Sequence, residues 1–321
     1  MNSITHNDTV GFANNKVNLP AEDAKKYRKQ VNDLLDRLAG YIKDNPGFSL
    51  LKMLHAGSVA KGTALLTTKE LDAAVYVKKE AVPIEDDKLV PWIAQLLRES
   101  NPNMKPDQFD DTQPHCVTVR FKGSGLDVDV VPVLYEGGEN DMGYLVNKYT
   151  GDKMLTSIPR HLEFIRTRKN NNPNHYTQVI RLVKWWAKQR KMEDDTFKCK
   201  SFMIELIIAH LADEGMDLSN YPEAVSGVFS YIAKTNLEER IIFEDFYTKD
   251  KIPSQNVGAI EIFDPVNPEN NITEKYTVAD RNRLVALAEE AGDAISEAIY
   301  SNTKQRALER WQKVFGPTFR V

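Results

Sequence analysis

The sequence predicts an α+β fold, in which a first half mixes strands with helices and a second half is mostly helical. Two patterns carry this prediction. Up to about residue 150, short runs rich in Val and Leu alternate with segments of helical periodicity. Beyond about residue 155, helical periodicity dominates. We therefore divide the chain into two predicted domains, residues 1–155 and residues 156–321.

The first half opens with a long helix. Pro20 suits a first helical turn, and apolar side chains recur at three- and four-residue spacing over residues 27–41, which places them on one face. Asn45-Pro46-Gly47 is expected to end this helix. Apolar runs at residues 50–56 and 71–77 then predict two strands.

A further helix and a β-hairpin complete this half. Residues 87–99 have helical spacing. Residues 115–121 and 126–134 are rich in Val and Leu, and the turn Lys122-Gly123-Ser124-Gly125 separates them. This pattern is typical of two antiparallel strands joined by a tight turn.

Four helical segments and a long final helix are predicted in the second half. The final helix begins near Thr277, because Thr277 and Asp280 have the spacing of a capping box. It extends, with room for a break, to residue 315. The four preceding segments are residues 161–168, 174–191, 201–213 and 222–234.

Composition excludes several classes of protein. The 321 residues carry 42 Lys and Arg against 46 Asp and Glu, a net charge of −4 that argues against a long basic surface for nucleic acid. No apolar run approaches the ~20 residues of a membrane span, and the N-terminus lacks the order of a secretory signal. Cys116 and Cys199 are too few for a disulfide framework or a four-cysteine zinc site. We expect a reduced, cytoplasmic protein with no membrane partner.

The first chemical signal is a Gly57-Ser58 turn between a predicted strand and a predicted helix start. Glycine lets the backbone approach a ligand closely, and the N–H groups of a helix start favour negative charge. Such a turn suits phosphates. Taken alone, it is also compatible with an ordinary strand-to-helix connection.

Carboxylates follow on the next predicted strand. Because side chains alternate between the two faces of a strand, Glu70 and Asp72 share one face, and apolar side chains occupy the other. Two neighbouring carboxylates repel each other unless a cation lies between them. The alternative interpretation is a solvated strand end.

The second strand of the hairpin carries another acidic pair. Asp127 and Asp129 share a face in an otherwise apolar run, where carboxylates are costly unless they are paired or bound to metal. We choose Asp129, because it lies deeper and directly precedes Val130-Val131-Pro132. If this strand lies beside the Glu70 strand, three carboxylates converge on a pair of metal ions, the apparatus typical of nucleotidyl transfer.

This set of motifs resembles the polymerase-β-type nucleotidyltransferase superfamily. Gly57-Ser58, Glu70-x-Asp72 and Asp129 in a Val-Asp-Val-Val-Pro setting follow its pattern. Asp is commoner than Glu at the first position of the pair. Glu-x-Asp nevertheless also occurs, notably in cyclic GMP-AMP synthases.

Motifs in the second half of the sequence indicate which subgroup of the superfamily the chain resembles. Residues 180–186 and 198–206 resemble the helical C-terminal domain of oligoadenylate synthases, and residues 262–271 resemble the cGAS/DncV-like nucleotidyltransferases of bacterial anti-phage systems. The resemblance covers the chain from about residue 20 to the end. Trp185 and Trp186 are expected in the core. The Asp and Asn side chains of residues 264–271 either contact a base or bond their own backbone.

The resemblance implies site roles residue by residue. The donor triphosphate would be held by Gly57 and Ser58, and from the helical domain by Lys184 and Ser201, with the active site in the cleft between the domains. Two Mg²⁺ ions, with Mn²⁺ as an alternative metal, would be held by Glu70, Asp72 and Asp129. Lys184 could instead be a helix-face lysine, and Ser201 could be a helix cap.

The implied activity is synthesis of a cyclic di- or oligonucleotide second messenger from nucleoside triphosphates, with release of pyrophosphate. A linear oligonucleotide synthase or RNA-tailing enzyme would use the same carboxylates and stays an alternative, as does a catalytically silent nucleotide sensor. Expected partners are regulatory or effector proteins of an anti-phage operon. No zinc-ligand cluster typical of a DNA-binding insertion is present in the sequence, so we expect no activation by long duplex nucleic acid.

Overall fold

A computed structural model describes residues 4–44, 50–79, 85–137, 139–255 and 258–321. The chain forms two compact units. We call Leu19–Glu163 the sheet unit, and Met1–Asn18 together with Phe164–Val321 the helical unit. The units differ from the predicted ranges, because the first 18 residues group with the helical unit and the later division follows residue 163.

The sheet unit contains seven strands and three helices within its described residues. The predicted strands, the hairpin and both predicted helices are present. Three further strands, at residues 109–110, 143–146 and 153–156, were not predicted. The expected helix end at residues 45–47 lies outside the described residues. In chain order the elements are α2 Ala21–Asp44, β1 Leu50–Ala56, α3 Gly57–Lys61, β2 Glu70–Lys78, α4 Leu89–Ser100, β3 Phe109–Asp110, β4 Val117–Phe121, β5 Leu126–Tyr135, β6 Gly143–Val146 and β7 Lys153–Thr156.

One mixed sheet organises this unit. Its strand order is β1-β2-β5-β4-β3, and β6 pairs with the end of β5 and with β7. The β2–β5 pair is parallel, and the other pairs are antiparallel. The apolar face of β2 and β5 packs with α2 and α4, burying side chains such as Val75, Val128 and Leu34. Strand alternation therefore sends the acidic side chains to the opposite face.

The remaining helices of the described residues belong to the helical unit, except that the helix over residues 158–171 begins within the last residues of the sheet unit. The predicted final helix is two helices, separated at residues 300–303. The Thr277–Asp280 capping box is present at the start of the first of them. The elements are α1 His6–Phe12, continued by a π-helical turn Ala13–Val17, α5 Ile158–Asn171, α6 His175–Glu193, α7 Ser201–Asp213, α8 Tyr221–Thr235, α9 Val278–Ile299 and α10 Lys304–Phe315.

Aromatic packing explains why the first residues join this unit. The ring of Phe12 on α1 lies 5.4 Å from that of Phe315 on α10, and the ring of His6 lies 4.4 Å from that of Tyr221 on α8. Thr5 caps α1 through a capping box with Asp8. Across the described ranges, no helix has both the length and the apolar character to cross a membrane.

Candidate active site

Strand register assembles the acidic residues. In the parallel β2–β5 pair, Glu70 is opposite Asp127 and Asp72 is opposite Asp129. Residues in register on neighbouring strands point to the same face and lie about 5 Å apart. The two strands therefore present four carboxylates on one face, near the start of both strands. The adjacency that the metal-site prediction required is present.

Exposure differs along this acidic face. Glu70 is exposed, whereas Asp72, Asp127 and Asp129 are half-buried. Carboxylates in register on neighbouring strands repel each other, and a bound cation would offset this repulsion. The local charge arrangement is therefore suited to a cation.

Gly57 brings the phosphate-type turn to Asp72. It starts α3 with φ of +63°, a left-handed conformation that favours glycine. A Cβ atom at this position would overlap the Asp72 carboxylate. Two independent constraints therefore require glycine here, and one of them is contact with a predicted metal ligand.

The short helix α3 is fixed by neighbouring backbone and side-chain bonds. The Thr63 N–H donates to the Ser58 carbonyl at 2.8 Å, and Gly62 ends the helix in a left-handed conformation. Arg28 on α2 donates from Nη2 to the Val59 carbonyl at 3.1 Å. The hydrogen bond from Arg28 thus links α2 to the helix that follows the Gly57-Ser58 turn.

Thr118 on β4 and Cys116, directly before β4, are two residues near the acidic face that were not predicted. The Thr118 hydroxyl donates to Asp129 Oδ1 at 2.5 Å. Burial, reinforced by the negative charges of Asp129 and Asp72, raises the pKa of the Cys116 thiol to about 12. Both carboxylates therefore lie near the same thiol. The hairpin turn could have indicated Thr118, because pairing Phe121 with Leu126 also pairs Thr118 with Asp129.

The donor set fits a divalent metal in type and in backbone placement. Carboxylate oxygens are the ligands that Mg²⁺ prefers, and the register gathers them from two strands. Within the described ranges, however, no group of three or more His, Cys, Asp or Glu side chains is already arranged to hold an ion. The backbone brings the predicted ligands close together, and side-chain rotation would have to complete the site.

Lys184 lies in a different environment from a surface helix lysine. Its side chain on α6 is 4% exposed, and Nζ donates to Glu205 Oε1 on α7 at 2.5 Å. Glu205 is equally buried, with 3% of its side chain exposed. The helix-face alternative for Lys184 is therefore wrong, since the ammonium is buried in an ion pair. Its predicted phosphate role stays a prediction.

Ser201 is the first residue of α7 and is exposed. The N-cap position is taken by Lys200, so the capping alternative for Ser201 does not describe this helix start. Lys200 Nζ donates to the Ile272 carbonyl at 2.8 Å. Binding of phosphate by Ser201 stays a prediction.

The remaining motifs of the helical unit are the Trp185-Trp186 pair and the loop of residues 264–271. Trp185 and Trp186 are 7% and 1% exposed, as expected for core residues. Asp264 accepts from the Val266 N–H at 2.9 Å and from Asn270 Nδ2 at 3.1 Å. These bonds stay within the loop, which favours the self-bonding alternative over base contact.

Comparison with known proteins identifies the family. No protein-family model matches the chain. The chain is 46% identical over 316 residues to the cyclic AMP-AMP-AMP synthase of Escherichia coli strain MS 115-1, and the match covers 98% of both proteins. Structures of E. coli MS115-1 CdnC, one in complex with HORMA-deltaN and one with ATP, match with a TM-score of 0.91 over 99% of each chain.

A distant structure shows the same fold. The DncV cyclic AMP-GMP synthase of Vibrio cholerae matches with a TM-score of 0.71 at 11% identity, covering 100% of this chain and 98% of that one. The predicted family, fold class and enzyme class are thereby confirmed. Enzymes of this family are generally metal-dependent. The chain belongs to the bacterial cGAS/DncV-like nucleotidyltransferases, the CD-NTases, which make cyclic oligonucleotides in anti-phage defence.

Proposed function

We propose that this enzyme joins three ATP molecules into a cyclic triadenylate. The 46% identity to a cyclic AMP-AMP-AMP synthase supports the product. The observation that carries the chemistry is the parallel register of β2 and β5, which sets Asp72 opposite Asp129 and Glu70 opposite Asp127. A face built from carboxylates of two adjacent strands suits a reaction in which triphosphate charge must be neutralised.

Each joining step is a displacement at phosphorus. A ribose hydroxyl oxygen attacks the α-phosphorus of the next nucleotide, the bond between the α- and β-phosphates breaks, and pyrophosphate leaves. The hydroxyl proton passes to a carboxylate oxygen. Asp129 Oδ2 is our candidate acceptor, because Oδ1 already accepts from Thr118. Three such steps, the last of them intramolecular, close the ring.

Glu70, Asp72 and Asp129 are proposed to hold Mg²⁺. When bound, Mg²⁺ would neutralise triphosphate charge and lower the pKa of the attacking hydroxyl. Gly57 and Ser58 would offer their backbone N–H groups to the triphosphate, since the first N–H groups of a helix have no partner within that helix. The close approach of Gly57 to Asp72 supports this role, because Asp72 is one of the proposed metal ligands.

Lys184 and Ser201 are proposed to bind donor phosphates from the helical unit. The support for Lys184 is the chemistry of its side chain, since an ammonium is a strong donor to phosphate oxygens, and Glu205 accepts a bond from this ammonium. Glu205 would then orient the ammonium as well as balance its charge. Exposure of Ser201 at the first turn of α7 leaves its hydroxyl accessible to ligand.

A HORMA-domain protein is the proposed regulatory partner. Its support is the matched structure of E. coli CdnC, which was solved in complex with HORMA-deltaN. Co-purification of this chain with a HORMA-domain protein tests the proposal. Failure to form a complex at micromolar concentrations would contradict it.

Product analysis tests the proposed activity. The purified enzyme, with and without its HORMA-domain partner, is incubated with Mg²⁺ and each α-labelled nucleoside triphosphate, and the products are treated with phosphatase. We expect ATP alone to suffice and to give a phosphatase-resistant trimer whose formation stops on chelation with EDTA. A phosphatase-sensitive ladder would instead indicate a linear polymerase, and a requirement for a second nucleotide would contradict the triadenylate. Absence of pyrophosphate release under every condition would indicate a silent sensor.

A further inference from the structure

We propose that Thr118 is a positioning residue that fixes the orientation of Asp129 for metal binding. The inference deepens the proposed function and rests on the proposed metal site. It assigns to β4, a strand that carries none of the predicted ligands, a part in building that site.

The geometry joins two strands at one point. Thr118 on β4 is in register with Asp129 on β5 in an antiparallel pair. The Thr118 hydroxyl donates to Asp129 Oδ1 at 2.5 Å, which is in the range of a strong bond between a hydroxyl and a carboxylate. One carboxylate oxygen is thereby anchored to the sheet, and the other keeps its lone pairs for a ligand on the acidic face.

The residue type suits this role. Thr is branched at Cβ and is therefore stiff at χ1, so its hydroxyl is held in place by the strand. Thr118 and Asp129 are both half-buried, which strengthens a charge-assisted bond relative to one in water. Since Asp129 faces another carboxylate across the β2–β5 pair, repulsion would otherwise favour rotation of Asp129 away from Asp72. The Thr118 bond opposes that rotation.

A second hydroxyl–carboxylate bond in the chain provides a matched control. Thr196 donates to Asp194 Oδ1 at the same distance, 2.5 Å, but the two residues are two positions apart in an exposed turn after α6. Loss of that bond removes the same chemical interaction without touching the acidic face.

Metal affinity measures the proposed role directly. Free Mn²⁺ is followed by electron paramagnetic resonance during titration of the intact protein and of Thr118→Val, Thr118→Ser, Thr196→Val and Asp129→Asn. The half-maximal Mg²⁺ concentration for product formation is read in parallel, and thermal melting reports folding. Partners that orient a metal ligand are worth about 10- to 100-fold in metal affinity. We expect a loss of that size in Thr118→Val, recovery in Thr118→Ser, and no change in Thr196→Val.

The outcomes separate the two proposals. If Asp129→Asn weakens metal binding and Thr118→Val does not, the positioning role is wrong and the metal site stands. If Asp129→Asn leaves both metal readouts unchanged, the metal site fails and the positioning role fails with it. If Thr118→Val alters melting, the recovery in Thr118→Ser decides, because serine restores the hydroxyl without the methyl group; a serine variant as weak as the valine variant would overturn the proposal.

Discussion

Two buried ion-pair groups of the helical unit and the acidic face of the sheet unit show contrasting charge arrangements. In the helical unit, Lys184 pairs with Glu205 at 2.5 Å. Arg168, whose side chain is 6% exposed, pairs with Asp213 at 2.6 Å and with Asp245 at 2.8 Å. In the sheet unit, acidic residues of β2 and β5 face acidic residues.

The difference leads to different expectations for substitutions at the two places. Both members of a buried ion pair are removed from water in the folded state. Removal of one partner therefore leaves a buried, uncompensated charge, which destabilises the fold. Carboxylates that face one another repel, which lowers the stability of the fold. A bound cation would offset this repulsion. We therefore expect substitutions in the helical pairs to affect folding, and substitutions on the acidic face to affect turnover.

The largest expected effect is loss of activity at Asp72. Asp72→Asn keeps the size of the side chain but removes the charge of a proposed metal ligand. If the charge stabilisation is worth ~4 kcal/mol, product formation falls about a thousandfold, while melting temperature is nearly unchanged. Asp152→Asn, in the exposed turn between β6 and β7, is the control and should keep full activity. Retention of a tenth or more of the rate in Asp72→Asn would contradict the assignment.

Substitutions in the Lys184–Glu205 pair should lower stability, in contrast to Asp72→Asn, which should lower activity. Lys184→Met and Glu205→Gln each break a buried ion pair, and we expect each to lower the free energy of unfolding by about 3–5 kcal/mol in denaturant titrations. The two variants differ in one respect, because Glu205→Gln keeps the ammonium.

Comparing these two variants also tests the phosphate role of Lys184. A charge-assisted hydrogen bond is worth about 1.5–3 kcal/mol, so Lys184→Met should raise the KM for ATP about 10- to 100-fold at a temperature where both variants are folded. Glu205→Gln should change KM much less. Equal KM values in the two variants would contradict the phosphate role and indicate that Lys184 is purely structural.

Gly57→Ala should combine both kinds of effect. The added methyl group is strained at φ of +63° and overlaps the Asp72 carboxylate, so we expect a loss of activity of at least tenfold and a stability loss of about 1 kcal/mol. Gly151→Ala is the matched variant, since Gly151 also has positive φ, +76°, and a Cβ atom there meets open space. It should show the stability loss with normal activity. Equal activities in the two variants would contradict the contact with Asp72.

The smallest expected effect concerns the cap of α9. The Thr277 backbone N–H, Lys198 and the Thr277 hydroxyl lower the pKa of Asp280 to about 2. Because the folded-state pKa is below the unfolded value, the stabilisation is present above about pH 4 and is lost as pH falls towards 2. Asp280→Asn should therefore be about 1 kcal/mol less stable at pH 7, and this difference should shrink below pH 4. A difference independent of pH would contradict the role of the charge.

Sequence patterns predicted the individual strands of the site. They did not predict which strands, distant in the sequence, pair with each other. Alternation placed Glu70 with Asp72, and Asp127 with Asp129, on shared faces. That β5 lies directly beside β2 was a condition of the prediction, since 47 residues, 79–125, separate the two strands. Only the resemblance to a known family made this pairing an expectation.

Other features depended on contacts that local patterns do not encode. The partner of Lys184 lies 21 residues away on another helix, so apolar neighbours on α6 gave no sign of an ion pair. The seven-residue helix α1 was not predicted, although Thr5 and Asp8 carry capping-box spacing, because its packing partners lie near the other end of the chain. Its grouping with the helical unit follows from those partners.

The location of the metal tests the central claim most directly. Crystals of the protein grown with Mn²⁺ and a non-hydrolysable ATP analogue give an anomalous difference map that marks the metal. We predict a peak within coordination distance of carboxylate oxygens from both Asp72 and Asp129, with the triphosphate beside Gly57. A metal bound elsewhere, or an ordered triphosphate with no peak between these two strands, would contradict the account.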